Sequence, residues 1–152
     1  LWPRHHVHRR RPGHHHGVGT RVSAFSSTRK TRAAERLARV FFVRVVRGRV
    51  WDVAVDIRPG SSTFGHWVAA ELSEDNRHML FVPVGFAHGF LVLSEVADVL
   101  YKCSHIYVAE TEAGIAWNDP DIAIPWPIAD PLLSARDTAN PTLRAAFPQQ
   151  LG

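Results

Sequence analysis

Short apolar runs, separated by turn-forming residues, dominate the middle of the chain. In the run 50–57, branched apolar residues alternate with Asp52, Ala54 and Asp56, and this period of two places each set on its own face of a strand. Similar runs predict strands at 41–46, 50–57, 66–72, 77–82, 90–93 and 96–104. The Arg47-Gly48-Arg49 segment between the first two predicts a hairpin. Several short strands with almost no helix predict an all-β fold, a jelly roll or β-sandwich.

The two ends of the chain follow other patterns. Residues 1–40 show no strand alternation, and their prolines and glycines interrupt helical starts, although residues 31–39 favour a short helix. Prolines also punctuate residues 111–152, at positions 120, 125, 127, 131, 141 and 148. We therefore expect an irregular N-terminal segment, a strand-rich centre and a loop-rich C-terminal tail.

Charge divides the chain more sharply than its net value of +4 suggests. Residues 1–50 carry thirteen Lys or Arg and a single acid, whereas residues 51–152 carry five Lys or Arg and thirteen acids. Such a basic segment is either an arm for nucleic acid or a disordered, solvated tail. We do not expect nucleic acid as a partner, because the acidic remainder of the chain would repel it.

Two absences in the sequence limit the class of protein. No apolar run reaches the ~20 residues of a membrane-spanning helix, and no secretory signal is visible. Cys103 is the single cysteine, which excludes an internal disulfide and a cysteine zinc cluster. We therefore expect a cytoplasmic protein without a membrane partner.

The segment 80–90 has the most distinctive local pattern. Pro83 lacks an amide donor and ends a strand, Gly85 permits a tight turn, and His88 enters the next strand. This Pro-x-Gly-x-x-His arrangement resembles the second motif of the cupin superfamily, a group of jelly rolls whose metal-binding members use the histidine as a ligand. The His-x-His at 6–8 lies outside the usual spacing of their motif. We therefore expect no metal ion, since three or four convergent ligands are needed.

Six motifs in order resemble the dTDP-4-dehydrorhamnose 3,5-epimerase family over residues 42 to about 140. They are VRVVRGRVWDVAVDIR (43–58), GSSTFG (60–65), PVGFAHGF (83–90), LYKCS (100–104), GIAWNDP (114–120) and LSARD (133–137). The resemblance implies a cupin-like jelly roll that forms a homodimer and uses no cofactor. It also implies an isomerase that inverts carbons 3 and 5 of dTDP-4-dehydro-6-deoxy-D-glucose, on the way to dTDP-L-rhamnose for cell-wall polysaccharides.

The resemblance also implies roles for six residues. Inversion beside a 4-keto group needs a base on one face of the sugar, an acid on the other, and donors or cations near the enolate. By motif position, Tyr101 matches the family's acid, and Asp137 matches the aspartate that orients its base histidine. The residues that match substrate contacts are His88, Tyr107, Glu112 and Arg136.

From the sequence alone, these residues have plain structural alternatives. Tyr101 suits a core position with a bonded hydroxyl, His88 suits a hydrogen-bonded strand start, and Asp137 suits a turn cap. Arg136 and Glu112 suit exposed or polar positions. Asp52 and Asp56 share a strand face, and one of them is a candidate to enter the barrel without an assigned role.

The N-terminal segment departs from the family. The family's base histidine lies in an Arg-Gly-Leu-His segment before the first core strand, and a lysine follows at the position of Phe41. Residues 26–41 here contain neither that segment nor any histidine. The alternative prediction is therefore an inactive or truncated domain that binds a nucleotide sugar. We divide the chain into residues 1–41, disordered or foreign to the family (as from a shifted reading frame), and residues 42–152, the jelly roll.

Overall fold

A computed structural model describes residues 4–7, 22–28, 41–103 and 112–150, with side chains described in 42–103 and 113–150. The helices in these ranges are α1 (Ala135–Thr138) and α2 (Leu143–Ala146), and none is long and apolar enough to cross a lipid bilayer. The strands in these ranges are β1 (Arg4–Val7), β2 (Val22–Thr28), β3 (Phe41–Arg47), β4 (Arg49–Asp56), β5 (Trp67–Ser73), β6 (Met79–Val82), β7 (Phe86–Val92), β8 (Ala97–Cys103) and β9 (Glu112–Ile115).

The described strands form two antiparallel sheets that enclose a core. One sheet has the order β1-β8-β3-β6 and the other has the order β5-β4-β7-β2-β9. Val43 and Val45 of β3 are buried between the sheets, where they join Val50 and Ala54 of β4 in one apolar cluster. The predicted all-β jelly roll is confirmed.

The predicted hairpin between the first two core strands is wrong. β3 pairs with β6 and β8, whereas β4 pairs with β5 and β7, so the chain passes from one sheet to the other at residue 48. Gly48 adopts a φ of 76°, and a Cβ there would lie 2.0 Å from the carbonyl oxygen of Val96. The valines of the two strands are instead buried in the core that the two sheets share, where burial of apolar surface stabilises the fold.

β7 begins earlier than the apolar pattern predicts. It starts at Phe86 rather than at residue 90, so His88 lies inside a strand instead of at its start. β7 pairs with β4 on one side and β2 on the other, and residues on both of its faces are buried. Burial on both faces removes the alternation from which strand bounds are predicted.

Three strands, β1, β2 and β9, occur where the sequence pattern predicts irregular or loop-rich structure. β1 pairs with β8, and β2 pairs with β7 and β9. Backbone hydrogen bonding to neighbouring strands, rather than side-chain alternation, accounts for these elements. The helix predicted over 31–39 lies outside the described residues, and the domain boundary at residue 42 stays a prediction.

The C-terminal tail covers the outer face of the five-stranded sheet. Ile115, Ile122 and Leu143 are buried with Val53 of β4 in a second apolar cluster. Asp119 holds the tail in place, because its Oδ2 accepts a 2.6 Å hydrogen bond from the amide of Leu143. The other face of this sheet, with Ala54 and Phe90, is buried between the two sheets.

Candidate active site

At one end of the sandwich, the three residues 83–85 connect the four-stranded sheet to the five-stranded sheet. Val82 ends β6 in the first sheet, and Phe86 begins β7 in the second. Asp56 pairs with Phe86, and Phe41 pairs with both Val82 and Cys103, so all these strand ends lie together. We call this end of the fold the mouth end.

His88 and Asp52 form a buried pair between the sheets. Nε2 of His88 lies 2.8 Å from Oδ1 of Asp52, and the two side chains are only 7% and 0% exposed. The pair is diagonal, because Ala54 stands directly opposite His88 in the ladder and Phe90 stands opposite Asp52. Since a carboxylate only accepts, Nε2 carries the hydrogen of this bond, and Asp52 orients the imidazole ring.

Tyr101 reaches the same place from the other sheet. Its ring meets the His88 ring edge to face, with centroids 5.8 Å apart and planes at 79°. Burial raises the pKa of the Tyr101 hydroxyl well above its usual value of 10.0, and the nearby charges of Asp52 and Cys103 raise it further. Tyr101 therefore keeps its proton at neutral pH and can serve as an acid.

Asp52 is the residue of this site that the sequence analysis left without a role. Its Oδ2 is buried and has no hydrogen-bond partner in the part of the chain that the structure describes. Leaving such a group unpaired costs about 1–3 kcal/mol, so its presence calls for a functional explanation. The signal available in the sequence was an acid in the middle of an otherwise apolar strand.

Asp56, on the same face of β4, has a different environment. Arg58 donates to both carboxylate oxygens, through Nε at 2.9 Å and Nη2 at 2.6 Å. Ser61 and Thr63 donate their hydroxyls to Oδ2. The Arg58 hydrogen bonds, with those of the two hydroxyls, hold the pKa of Asp56 far below its usual value of 3.8. Asp56 is thus a structural anchor for the loop at the mouth end.

Asp137 and Arg136 lie on the short helix α1. Ser134 caps this helix, since its hydroxyl accepts from the amide of Asp137 and donates to Asp137 Oδ2 over 2.7 Å. Asp137 is therefore not the cap itself but lies in the first turn of α1, where it bonds to the capping serine, and α1 packs beside β2. Arg136 is exposed. The catalytic role of Asp137 and the binding role of Arg136 stay predictions.

Of the remaining two sequence candidates, the structure describes only the backbone of Glu112 and does not describe Tyr107. Glu112 begins β9, where it pairs with Thr28 of β2, and its side chain is not among those described. Tyr107 lies outside the described residues. Their roles in substrate binding stay predictions, as does the expectation that no cofactor is needed. Within 42–103 and 113–150, no three His, Cys, Asp or Glu side chains come together as metal ligands would.

The contact between the His88 and Tyr101 rings limits their chemistry. Centroids 5.8 Å apart place the two rings in van der Waals contact, so a sugar ring does not fit between them. The two side chains therefore lie on the same side of any group that contacts both of them. A base for the opposite side has to come from elsewhere in the molecule.

Comparison with known sequences gives a consistent result. A family model described as dTDP-4-dehydrorhamnose 3,5-epimerase matches residues 31–145, so the match begins before the boundary placed at residue 42. A protein of Neisseria gonorrhoeae named dTDP-4-dehydrorhamnose 3,5-epimerase is 56% identical over 101 residues, which are 66% of this chain and 31% of that protein. Across the curated relatives, the chain spans between 31% and 58% of their length.

Solved structures agree with the sequence matches. The epimerase RmlC from Legionella pneumophila, in complex with dTDP-4-keto-L-rhamnose, has a TM-score of 0.73 and 39% identity, over 82% of this chain and 68% of that one. ChmJ, a 3'-monoepimerase from Streptomyces bikiniensis in complex with dTDP-quinovose, has a TM-score of 0.80 and 29% identity, over 98% of this chain and 68% of that one. With a family model matched over most of its length, the chain belongs to the dTDP-4-dehydrorhamnose 3,5-epimerase family.

Proposed function

We propose that this chain acts as a 3,5-epimerase on dTDP-4-dehydro-6-deoxy-D-glucose, in the synthesis of dTDP-L-rhamnose. The observation that carries the proposal is the contact of Tyr101 with the His88–Asp52 pair inside the sandwich. Family membership supports the class of substrate, as does the relative from Legionella pneumophila that holds a dTDP-linked keto sugar.

The reaction needs proton transfer at two carbons. The 4-keto group acidifies the C–H bonds on carbons 3 and 5, and loss of either proton gives an enolate. Tyr101 returns a proton to the opposite side of the carbon, because its buried hydroxyl stays protonated. His88 is oriented by its contact with Asp52, and the pair helps to hold the sugar beside Tyr101.

The proton acceptor for the other side of the sugar is assigned to Asp137. β2 runs beside β7, with Ser26 opposite His88 in the ladder, and the segment 22–28 contains no histidine. The helix that carries Asp137 packs beside β2. In this proposal, the Asp137 carboxylate accepts the proton directly instead of orienting a histidine. Because a carboxylate is a weaker base, we expect turnover about 100-fold slower than in relatives that use a histidine.

Hydrogen exchange tests the proposal directly. The 152-residue protein is incubated with dTDP-4-dehydro-6-deoxy-D-glucose in deuterium oxide, and carbons 3 and 5 are followed by NMR. We expect deuterium at both carbons, and we expect Tyr101→Phe and Asp137→Asn each to slow the exchange by about 100-fold or more. Asp121→Asn, a change at a tail aspartate paired with Arg144, is the matched control and should leave the exchange unchanged.

Each other result has a defined meaning. Exchange at one carbon only would contradict double inversion and indicate a monoepimerase. No exchange at either carbon, together with saturable binding of dTDP, would contradict the proposal and indicate a domain that only binds the nucleotide sugar.

We also propose that the protein is a homodimer in the cytoplasm. The outer face of the four-stranded sheet exposes Phe42, Val46, Met79 and Phe81, and the two phenylalanine rings lie 4.9 Å apart. Arg44 lies among them, and its Nε is buried without a partner in the described residues. Apolar patches of this kind are typical of interaction surfaces, and a second subunit supplies both apolar cover and an acceptor.

A further inference from the structure

Three rings from the two sheets meet inside the sandwich. The centroid of Phe90 lies 6.3 Å from that of His88 and 6.3 Å from that of Tyr101. Phe90 is 6% exposed and belongs to the apolar core between the sheets. It carries no polar atom, so its contribution to the site is shape and the exclusion of water.

Side-chain size alternates across the ladder between β4 and β7. The small Ala54 stands opposite His88, and the large Phe90 stands opposite Asp52. Opposed Cβ atoms in an antiparallel pair are only about 4.5–5.5 Å apart, so a residue larger than alanine would press on the imidazole. His88 turns diagonally toward Asp52 instead of Ala54, and the Phe90 ring lies beside the imidazole, with centroids 6.3 Å apart.

We propose that Phe90 is a positioning residue whose ring sets the spacing between the His88 imidazole and the Tyr101 phenol. The same ring shields the Tyr101 hydroxyl from water. The consequence for catalysis rests on the proposed epimerase function, whereas the effect on Tyr101 does not, so the two are tested separately.

The ionisation of Tyr101 tests the proposal without any turnover. The chain has two tyrosines, so Tyr107→Phe assigns the NMR signal of [ζ-13C]tyrosine at position 101. In alkaline solution, Phe90→Leu should raise the ionised fraction of Tyr101 several-fold over that of the parent protein, because water reaches the hydroxyl. Leu91→Ala is the matched control: this residue is buried on the opposite face of the same strand, and its change should leave the fraction unaltered.

The exchange assay tests the consequence for the reaction. Phe90→Leu should lower kcat about tenfold with little change in KM, because it misplaces the reacting groups and leaves the nucleotide contacts intact. Phe90→Met, which keeps most of the side-chain volume, should recover part of the rate. Ala54→Val should also lower kcat, by displacing the imidazole from the opposite side.

Two results would overturn the proposal. One is an unchanged Tyr101 ionisation in folded Phe90→Leu protein. The other is an equal effect of Phe90→Leu and Leu91→Ala, which would mean that Phe90 only fills space. A parent protein that shows no exchange would contradict the proposed function, and the ionisation experiment would still decide the role of Phe90.

Discussion

Two aspartates on one strand face show how surroundings decide the role of a carboxylate. Asp52 and Asp56 both lie on the interior face of β4, and both are almost fully buried. Asp56 receives an arginine and two hydroxyls, so all its oxygens are bonded. Asp52 Oδ1 contacts one imidazole, and Oδ2 has no hydrogen-bond partner among the residues that the structure describes. The first arrangement stabilises a loop, whereas the second keeps a buried charge available beside a proton donor.

Asp52→Asn should separate stability from activity. The amide oxygen still accepts from His88 while an incompletely paired buried charge disappears, so the free energy of unfolding should stay equal or rise by about 1 kcal/mol. Exchange should fall about 100-fold, because the imidazole loses its anionic partner. Asp119→Asn is the matched control: its carboxylate accepts backbone amides of the tail, so it should lose stability and keep exchange. Equal destabilisation of both variants in urea would contradict this account.

The lowered pKa of Asp56 makes the free energy of unfolding decrease at acid pH. Its pKa in the folded protein lies far below 3.8, so the unfolded chain binds the proton more tightly. The stabilisation is therefore complete above the unfolded-state pKa and is lost as the pH falls below it. Urea unfolding between about pH 7 and pH 3 should show this loss, and Asp56→Asn should flatten it. The same pH dependence in both proteins would rule out Asp56 as its source.

At the scale of elements, two short connections decide the topology. The corner at Gly48 sends β3 and β4 into different sheets, and residues 83–85 do the same for β6 and β7. The second connection places His88 close to the mouth end. In the first connection, the amide of Gly48 donates to Oε1 of Glu74, and Gly48 packs against the carbonyl oxygen of Val96. Both depend on glycines with positive φ, which few other residues adopt.

Gly48→Ala measures how tightly that corner is packed. A methyl group there would meet Val96 O at 2.0 Å and Ser94 Oγ at 2.5 Å. We expect a loss of about 3 kcal/mol or more in the free energy of unfolding, measured in urea. Gly60→Ala measures the cost of the backbone conformation alone, because Gly60 has a similar φ of 79° and a Cβ there would meet nothing within 4 Å. This change should lower the free energy of unfolding by only about 1 kcal/mol. Equal losses would mean that the corner is not sterically constrained.

At the scale of the whole molecule, the two sheets differ in what covers them. The tail and its aromatic residues cover the outer face of the five-stranded sheet. The outer face of the four-stranded sheet keeps an exposed apolar patch around Phe42 and Phe81. The outer face of the five-stranded sheet is thus covered by its own chain, whereas the second subunit of the proposed dimer covers the outer face of the four-stranded sheet.

Phe81→Lys should weaken the proposed dimer. A charge in the centre of an apolar contact is left without a partner, so we expect at least about tenfold weaker association in sedimentation equilibrium. Val68→Lys is the matched control, since Val68 is also an exposed apolar residue but lies on the five-stranded sheet, and this change should leave association unchanged. A parent protein that sediments as a monomer would contradict the dimer.

The sequence by itself determined the fold class and the family, because both are carried by local patterns: alternating apolar runs and six motifs in order. It also singled out His88 and Tyr101 by motif position. Only the tertiary structure decided that β3 and β4 lie in different sheets, and that Asp52 is the partner of His88 across 36 residues of chain. Strand periodicity specifies which face is apolar, and it is the same whether two strands pair in one sheet or face each other across a core. Which side chains meet inside the sandwich therefore follows from sheet pairing, which no local pattern contains.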